Sequence, residues 1–342
     1  MNVGQTKISP RNLWIDTLRG FASVYVVFFH LNEVTTLGNP AYKLLASLGY
    51  LGVPVFFIIS GYCVWASILR AQSAKKFVWR RLLRIYPPYL ASLLVVIAAC
   101  IIRKLLAGQN DITQFPHSLM SWLATLTLTT APVSSVGTIN WVYWSLSYEI
   151  FFYLVIAVGM TKQGYRLWLI YVLLGLSLAP NLPISSYLFF LDSFGLFSAG
   201  IGLSMITQRA NFSAYAVITL SMASIAVNSS LPAQIVFCLT SLTIWISDHQ
   251  KTWLNSKNVF TDLGLVSYSL YLLHVPIGNY LLIRFRQGIW LDHLPLHVMY
   301  DVAVTGICIF CAFVFYKYVE KPSIAWGRTA NSYLSRKVLS HE

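Results

Sequence analysis

The chain has 342 residues, 57% of them hydrophobic and only 10% charged, with a mean hydropathy of +0.64. Soluble globular domains carry about 25% charged residues, so this composition excludes a water-soluble enzyme and points to a polytopic membrane protein. The net charge of +13 is no argument for nucleic acid, because Lys and Arg in membrane proteins gather in cytoplasmic loops beside anionic lipid.

No run of alternating ten-residue strands is present, so helices are favoured over a barrel. The expected fold is all-α, a transmembrane bundle of about ten spans in one domain over residues 1–342. The spans are predicted at 13–32, 46–69, 87–106, 140–160, 166–181, 185–206, 213–228, 232–248, 263–283 and 298–318. No internal repeat is visible. The longest polar stretch runs over about 107–139, which leaves no room for a fused extracytoplasmic domain. The basic start, Lys7 and Arg11, leads into an apolar segment with internal charges and no small-residue cleavage site, so it reads as a retained anchor.

With the N-terminus inside, the inner side collects Lys7, Arg11, Arg70, Lys75, Lys76, Arg80, Arg81, Arg84, Lys162, Arg166, Arg209, Lys251, Lys257, Lys317, Lys321, Arg328, Arg336 and Lys337. The outer side holds Lys43, Arg103, Lys104, Arg284 and Arg286. That asymmetry predicts both termini in the cytoplasm. The five cysteines (Cys63, Cys100, Cys238, Cys308, Cys311) fall in apolar segments and read as small buried residues, with no metal site and no disulfide.

The first segment carries Asp16, Arg19 and His30. Eleven residues turn a helix through about 1100°, so Arg19 and His30 share a face roughly 16 Å apart. A charge and a titratable base should face protein or a water-filled cavity rather than lipid. Asp16 precedes Arg19 by three and is placed to pair with it. The orientation puts Arg19 in the inner half of the bilayer and His30 near the outer end.

The second segment opens Gly49-Tyr-Leu-Gly52-Val-Pro54 and continues to Ser60-Gly61, small residues that suit close helix contact. Next comes Phe77-Val-Trp-Arg80-Arg81-Leu-Leu-Arg84-Ile-Tyr86-Pro87-Pro88. It reads as a basic cytoplasmic segment that ends where two prolines enter a new helix. Arg81 and Arg84 share a face by i,i+3 spacing, suited to phosphate, although positive-inside topology alone also accounts for them.

The fourth segment, Asn140-Trp141-Val-Tyr143-Trp144-Ser145-Leu-Ser147-Tyr148-Glu149, places Glu149 about 13 Å into a helix entering from outside. His30 is its candidate partner, or else an arginine; a structural ion pair is the plainer alternative. Ser267, Tyr271 and His274 then form one polar stripe on an apolar helix, which serves as interhelical glue or lines a path. Glu320, near many arginines, reads as a structural ion pair.

Taken in order, these stretches resemble the acyltransferase-3 family of integral-membrane acyltransferases. The motifs are Asp16-Thr-Leu-Arg19-Gly20 to His30, Gly52 to Tyr62, Arg80-Arg81-Leu-Leu-Arg84-Ile-Tyr-Pro87, Trp144-Ser145 to Tyr153, Ser267-Tyr268-Ser269-Leu-Tyr271-Leu-Leu-His274 and Val319-Glu320-Lys321-Pro322. Pro54 and Tyr148 depart from the family's usual residues. The resemblance implies transfer of an acyl group, usually acetyl, from cytoplasmic acyl-CoA to a hydroxyl of a glycan or lipid-linked saccharide, in a bacterial cytoplasmic (inner) membrane. Acetyl-CoA is then a donor substrate and no cofactor is tightly bound. The family's residues carry over to His30 and Glu149 as catalytic and to Arg19, Arg81 and Arg84 as donor-binding. Asp16, Trp144, Ser145, Ser267, Tyr271 and His274 are further candidates for lining the substrate path. In this reading His30 is the general base and Glu149 orients it. A secondary transporter with a His/Glu proton relay is the alternative reading.

Overall fold

The computed structural model describes residues 12–33, 39–69, 71, 73–107, 115–162, 164–179, 188–249 and 256–327. Lys7, Arg11, Arg70, Lys251, Arg328, Arg336 and Lys337, on which the predicted orientation leans, lie outside the described residues, as do both termini. The described residues form helices and no strand. In chain order these are α1 (Leu13–Asn32), α2 (Pro40–Ser47), α3 (Gly52–Ile68), α4 (Ala74–Ala107), α5 (Leu119–Thr127), α6 (Trp144–Gly159) and α7 (Tyr165–Ser177). There follow α8 (Leu191–Arg209), α9 (Phe212–Asn228), α10 (Leu231–His249), α11 (Val259–Leu265), α12 (Ser267–His274), α13 (Ile289–Asp292) and α14 (Leu294–Phe315). Two π-helical stretches, Val275–Leu282 and Tyr316–Glu320, continue α12 and α14.

Each of the ten predicted segments contains a helix among its described residues, but fewer qualify as spans. Four helical runs are long and apolar enough to cross a membrane: Pro40–Ile68, Ala74–Leu106, Trp141–Gly159 and Leu294–Gly327. A fifth arises if Val259–Leu265 and Ser267–Phe285, bent by 69° at their junction, count as one. Large apolar side chains such as Leu94, Leu105, Leu239, Val302 and Phe310 are exposed on the outside of the bundle, the pattern of a surface solvated by lipid.

The helices meet at small residues. A Cβ on Gly61 would sit 1.9 Å from the Phe197 carbonyl oxygen, and one on Gly200 1.9 Å from that of Ile58, so α3 and α8 touch backbone to backbone. Gly20 and Gly264 lock α1 to α11 in the same way, against Phe260 O and Asp16 O. Gly49 and Gly52 press the start of α3 onto α1 at Tyr25 and Ala22. α1 is thus held between α3 and α11–α12, with Arg19 and His30 in the interior of the bundle. Gly61→Ala should lower the stability of the detergent-solubilised protein by about 1–3 kcal/mol, as overpacking does, measured as a fall in its thermal unfolding midpoint.

Three expectations need correction. Arg80, Arg81 and Arg84 are not in a loop ahead of a new helix: α4 starts at Ala74 and runs through Pro87 and Pro88. A proline inside a helix frees the carbonyl four residues back. Here the Leu83 oxygen freed by Pro87 accepts the Ser323 hydroxyl, so a neighbouring helix takes up the freed group, as membrane proteins require. In the same turn Ile85 O accepts Tyr268 Oη–H at 2.9 Å. Arg286, counted as an outer-side charge, sits in a loop but is buried. It donates to Asp301 Oδ1 at 2.7 Å and to Leu31 O at 2.7 Å. Asp301 also takes Asn32 Nδ2 at 2.7 Å and Tyr42 Oη at 2.5 Å, joining α1, α2 and α14. Lastly, Cys238 is exposed, and Cys63 and Cys311 are only half-buried.

Candidate active site

A cavity opens among α1, α3, α4, α6 and α12. It is lined by Arg19, Cys63, Arg81, Arg84, Glu149 and Tyr153 at one end and by Val53, Phe56, Ser145 and Tyr271 at the other, with Ser60, Ser267 and Tyr268 also in its wall. Its volume, ≈ 90 Å³ measured to the centres of water-sized spheres, is several times the ~10–15 Å³ that one water needs. From Cys63 to Val53 the lining climbs ten residues of α3, about 15 Å.

Three arginines converge on the cavity. Arg81 and Arg84, one turn apart on α4, both face the cavity, and Arg19 faces it from α1. Arg19 and Arg84 make no hydrogen bond or ion pair with any described residue. Arg81 lies over the rings of Phe77 and Tyr153, 5.5 and 5.2 Å from their centroids. Guanidinium groups in a membrane bundle need partners, and one carboxylate, Glu149, is shared among the three in the lining. A second cavity, lined by Ser67, Arg80, Arg81, Arg84, Ile324 and Gly327, shares Arg81 and Arg84. The arginine pair therefore stands between two open spaces, one leading into the bundle.

Glu149 does not meet His30. It accepts from Ser60 Oγ at 3.2 Å and from the Tyr153 hydroxyl. The reason is depth. The Trp141 ring is the part of this segment beside His30, at 6.4 Å, and Glu149 lies eight residues further on, roughly 12 Å deeper. Glu320 likewise takes Ser269 Oγ at 2.6 Å rather than an arginine.

The partner of His30 is His274. His30 Nδ1 lies 3.0 Å from Val26 O and 3.2 Å from His274 Nε2, while His274 Nδ1 lies 3.1 Å from Leu270 O. A carbonyl oxygen only accepts, so in the neutral pair each Nδ1 carries its ring's proton. His274 Nε2 is then the acceptor for His30 Nδ1–H. His30 Nε2 is left with a lone pair and no hydrogen bond to any described residue. It is not among the fully enclosed unpartnered polar atoms, so it keeps access to open space.

Tyr271 joins the two regions. It lines the cavity, its hydroxyl contacts Val142 O and Ser145 Oγ, each at 2.7 Å, and its ring is 5.8 Å from that of His274. Ser145, Ser267 and Tyr271 thus stand where a path from the arginines to the histidines would run. Asp16, Trp144, His30 and His274 are not in the lining: Asp16 lies at the α1–α11 contact, Trp144 is 36% exposed and packs on Phe57 and Tyr148, and the two histidines lie beyond Tyr271.

Residues 12–317 match the family model Acyl_transf_3, an acyltransferase domain. The chain belongs to the acyltransferase-3 family. Among its relatives, nodulation protein 10 of Rhizobium leguminosarum bv. viciae is 31% identical over 45% of each chain. A protein of Acidianus two-tailed virus, provisionally named an acetyltransferase, is 29% identical over 58% of each. A Staphylococcus aureus (strain COL) protein, provisionally named an O-acetyltransferase, is 24% identical over 90% of this chain and 56% of its own. The chain spans about half the length of these relatives. No solved structure matches it. Membership of this family and the apolar helices make the chain a membrane protein.

Proposed function

We propose that this protein is an O-acyltransferase that moves an acetyl group from cytoplasmic acyl-CoA to a hydroxyl of a glycan or lipid-linked saccharide, within a bacterial inner membrane and with both termini inside. The observation that carries the reading is the convergence of Arg19, Arg81 and Arg84 on one cavity without hydrogen-bond partners among the described residues. Charge-assisted bonds from guanidinium forks suit the phosphates of CoA, and the pantetheine arm would follow the lining past Tyr271 to the histidine pair. The acceptor oxygen attacks the thioester carbonyl carbon, forming a C–O bond while the C–S bond breaks. Its proton passes to His30 Nε2 and then to the departing thiolate, giving ester and free CoA. The Val26 carbonyl holds His30 in the required tautomer, and His274 Nε2 accepts from the same Nδ1–H and helps to orient the ring. Glu149 balances the arginines and orders Tyr153 and Ser60 at the donor end.

The purified protein should be stabilised against heat by CoA, and it should release CoA thiol from acetyl-CoA when membrane glycan is supplied. A protein that is indifferent to CoA and moves a solute across vesicles instead would be a transporter, and the reading would be wrong.

A further inference from the structure

Beside His30 lie two buried polar atoms that have no hydrogen-bond partner among the described residues: Trp141 Nε1, a donor, and Asn279 Oδ1, an acceptor. Buried polar groups are nearly always paired, and each exception needs a cause. Other such atoms occur elsewhere in the bundle, but these two fall at one place. The Trp141 ring stands between His30, at 6.4 Å, and Tyr280, at 5.4 Å between centroids. Asn279 precedes Tyr280 and donates Nδ2–H to His30 O at 2.6 Å. That carbonyl belongs to the last turn of α1, where helix carbonyls lose their intrahelical partners. The bond fixes the amide, so its oxygen cannot turn away to find another donor.

The backbone points the same way. Asn279 sits in the π-helical stretch Val275–Leu282, which begins directly after His274. π-helical turns are rare, cost hydrogen-bond quality and recur at functional sites. This one brings Asn279 against the end of α1, while His274 reaches His30 Nδ1 from the preceding turn.

We propose that Trp141 and Asn279 are the acceptor-binding residues. Trp141 Nε1–H donates to the oxygen that is acylated, His30 Nε2 takes its proton, and Asn279 Oδ1 accepts from a second hydroxyl on the same molecule. Donor, base and acceptor in one place select a molecule with neighbouring hydroxyls. A monohydric alcohol would leave Asn279 Oδ1 buried and unpaired, at a cost in discrimination. The faces of Trp141 and Tyr280 supply an apolar wall for the C–H groups of a sugar ring. This inference rests on the acyl-transfer reading and adds to it which residues hold the acceptor.

The test uses membranes from a deletion strain of the source organism, complemented with the wild type, Trp141→Phe or Asn279→Ala, and opened so that radiolabelled acetyl-CoA reaches the protein. Two products are read: alkali-labile label in membrane acceptors and free acetate. CoA affinity serves as the check on folding. Trp141→Phe keeps the ring and deletes only the N–H. It should raise the ratio of hydrolysis to transfer about tenfold, the effect of losing one buried hydrogen bond, with CoA affinity within twofold of wild type. Asn279→Ala should move the ratio in the same direction. If both variants keep the wild-type ratio, or if transfer and hydrolysis fall together, the two residues are structural and the proposal is overturned. If the wild type binds CoA but transfers no acetyl group to any membrane acceptor, the acyl-transfer reading itself has failed and this assignment falls with it.

Discussion

His30→Ala should abolish acetyl transfer by roughly 10²–10⁴-fold, the usual contribution of a positioned general base, while CoA still protects the protein from heat. Arg19 lies about 16 Å away along α1, and Arg81 and Arg84 line a cavity to which His30 does not contribute, so donor binding and chemistry should separate cleanly. His274→Ala should cost less, about tenfold, equivalent to roughly 1.4 kcal/mol, one well-placed hydrogen bond. Val26 O still bonds His30 Nδ1, so the correct tautomer survives without His274. Rates with saturating acetyl-CoA distinguish the two. If His30→Ala transfers acetyl at the wild-type rate, the base lies elsewhere.

Arg84→Gln should weaken CoA binding by about 10–100-fold, since a hydrogen bond to a charged group contributes roughly 1.5–3 kcal/mol. Arg84 faces both cavities, so its loss removes a contact whichever space receives the phosphates. Arg84→Lys should recover only part of the affinity, because an ammonium cannot present two parallel donors to phosphate. The measurement is the dissociation constant for CoA in detergent or nanodiscs at two salt concentrations, and the wild type should show the steeper salt dependence. An unchanged constant in Arg84→Gln would remove CoA's phosphates from this cavity.

The arginine end of the cavity was legible in the sequence because helical periodicity carries it. Arg81 and Arg84 on one turn, and Ser267 and Tyr271 on another, face where their spacing says they should. The histidine pair was only half legible. His30 and His274 both stood out as bases on apolar faces, but spacing within one helix says nothing about which helix comes to meet it. The sequence argument gave His30 the only nearby carboxylate, whereas eight residues of helical rise hold Glu149 below it. Trp144 and Trp141 differ by one turn, and the periodicity cannot tell which is turned inwards. Asn279 left no signal, since its place depends on a π-helical stretch that an α-helical reading does not contain. Two short helices were not predicted: α2, which precedes the span read at 46–69, and α5, inside the stretch read as polar. Both have local markers: Asn39-Pro40 caps α2, and Ser118 with Ser121 caps α5. The Arg286–Asp301 pair was not foreseen because a buried pair 15 residues apart follows no helical spacing.

The histidine pair also sets a timetable. His30 and His274 are separated by 244 residues, and at about 5–20 residues per second of synthesis the second arrives roughly 12–50 s after the first. Once Arg84 is made, the nascent chain holds the arginines of α1 and α4 but not His274, and Gly20 waits for Gly264 to close the contact between α1 and α11. The three arginines therefore enter the membrane well before the helix that packs against His30.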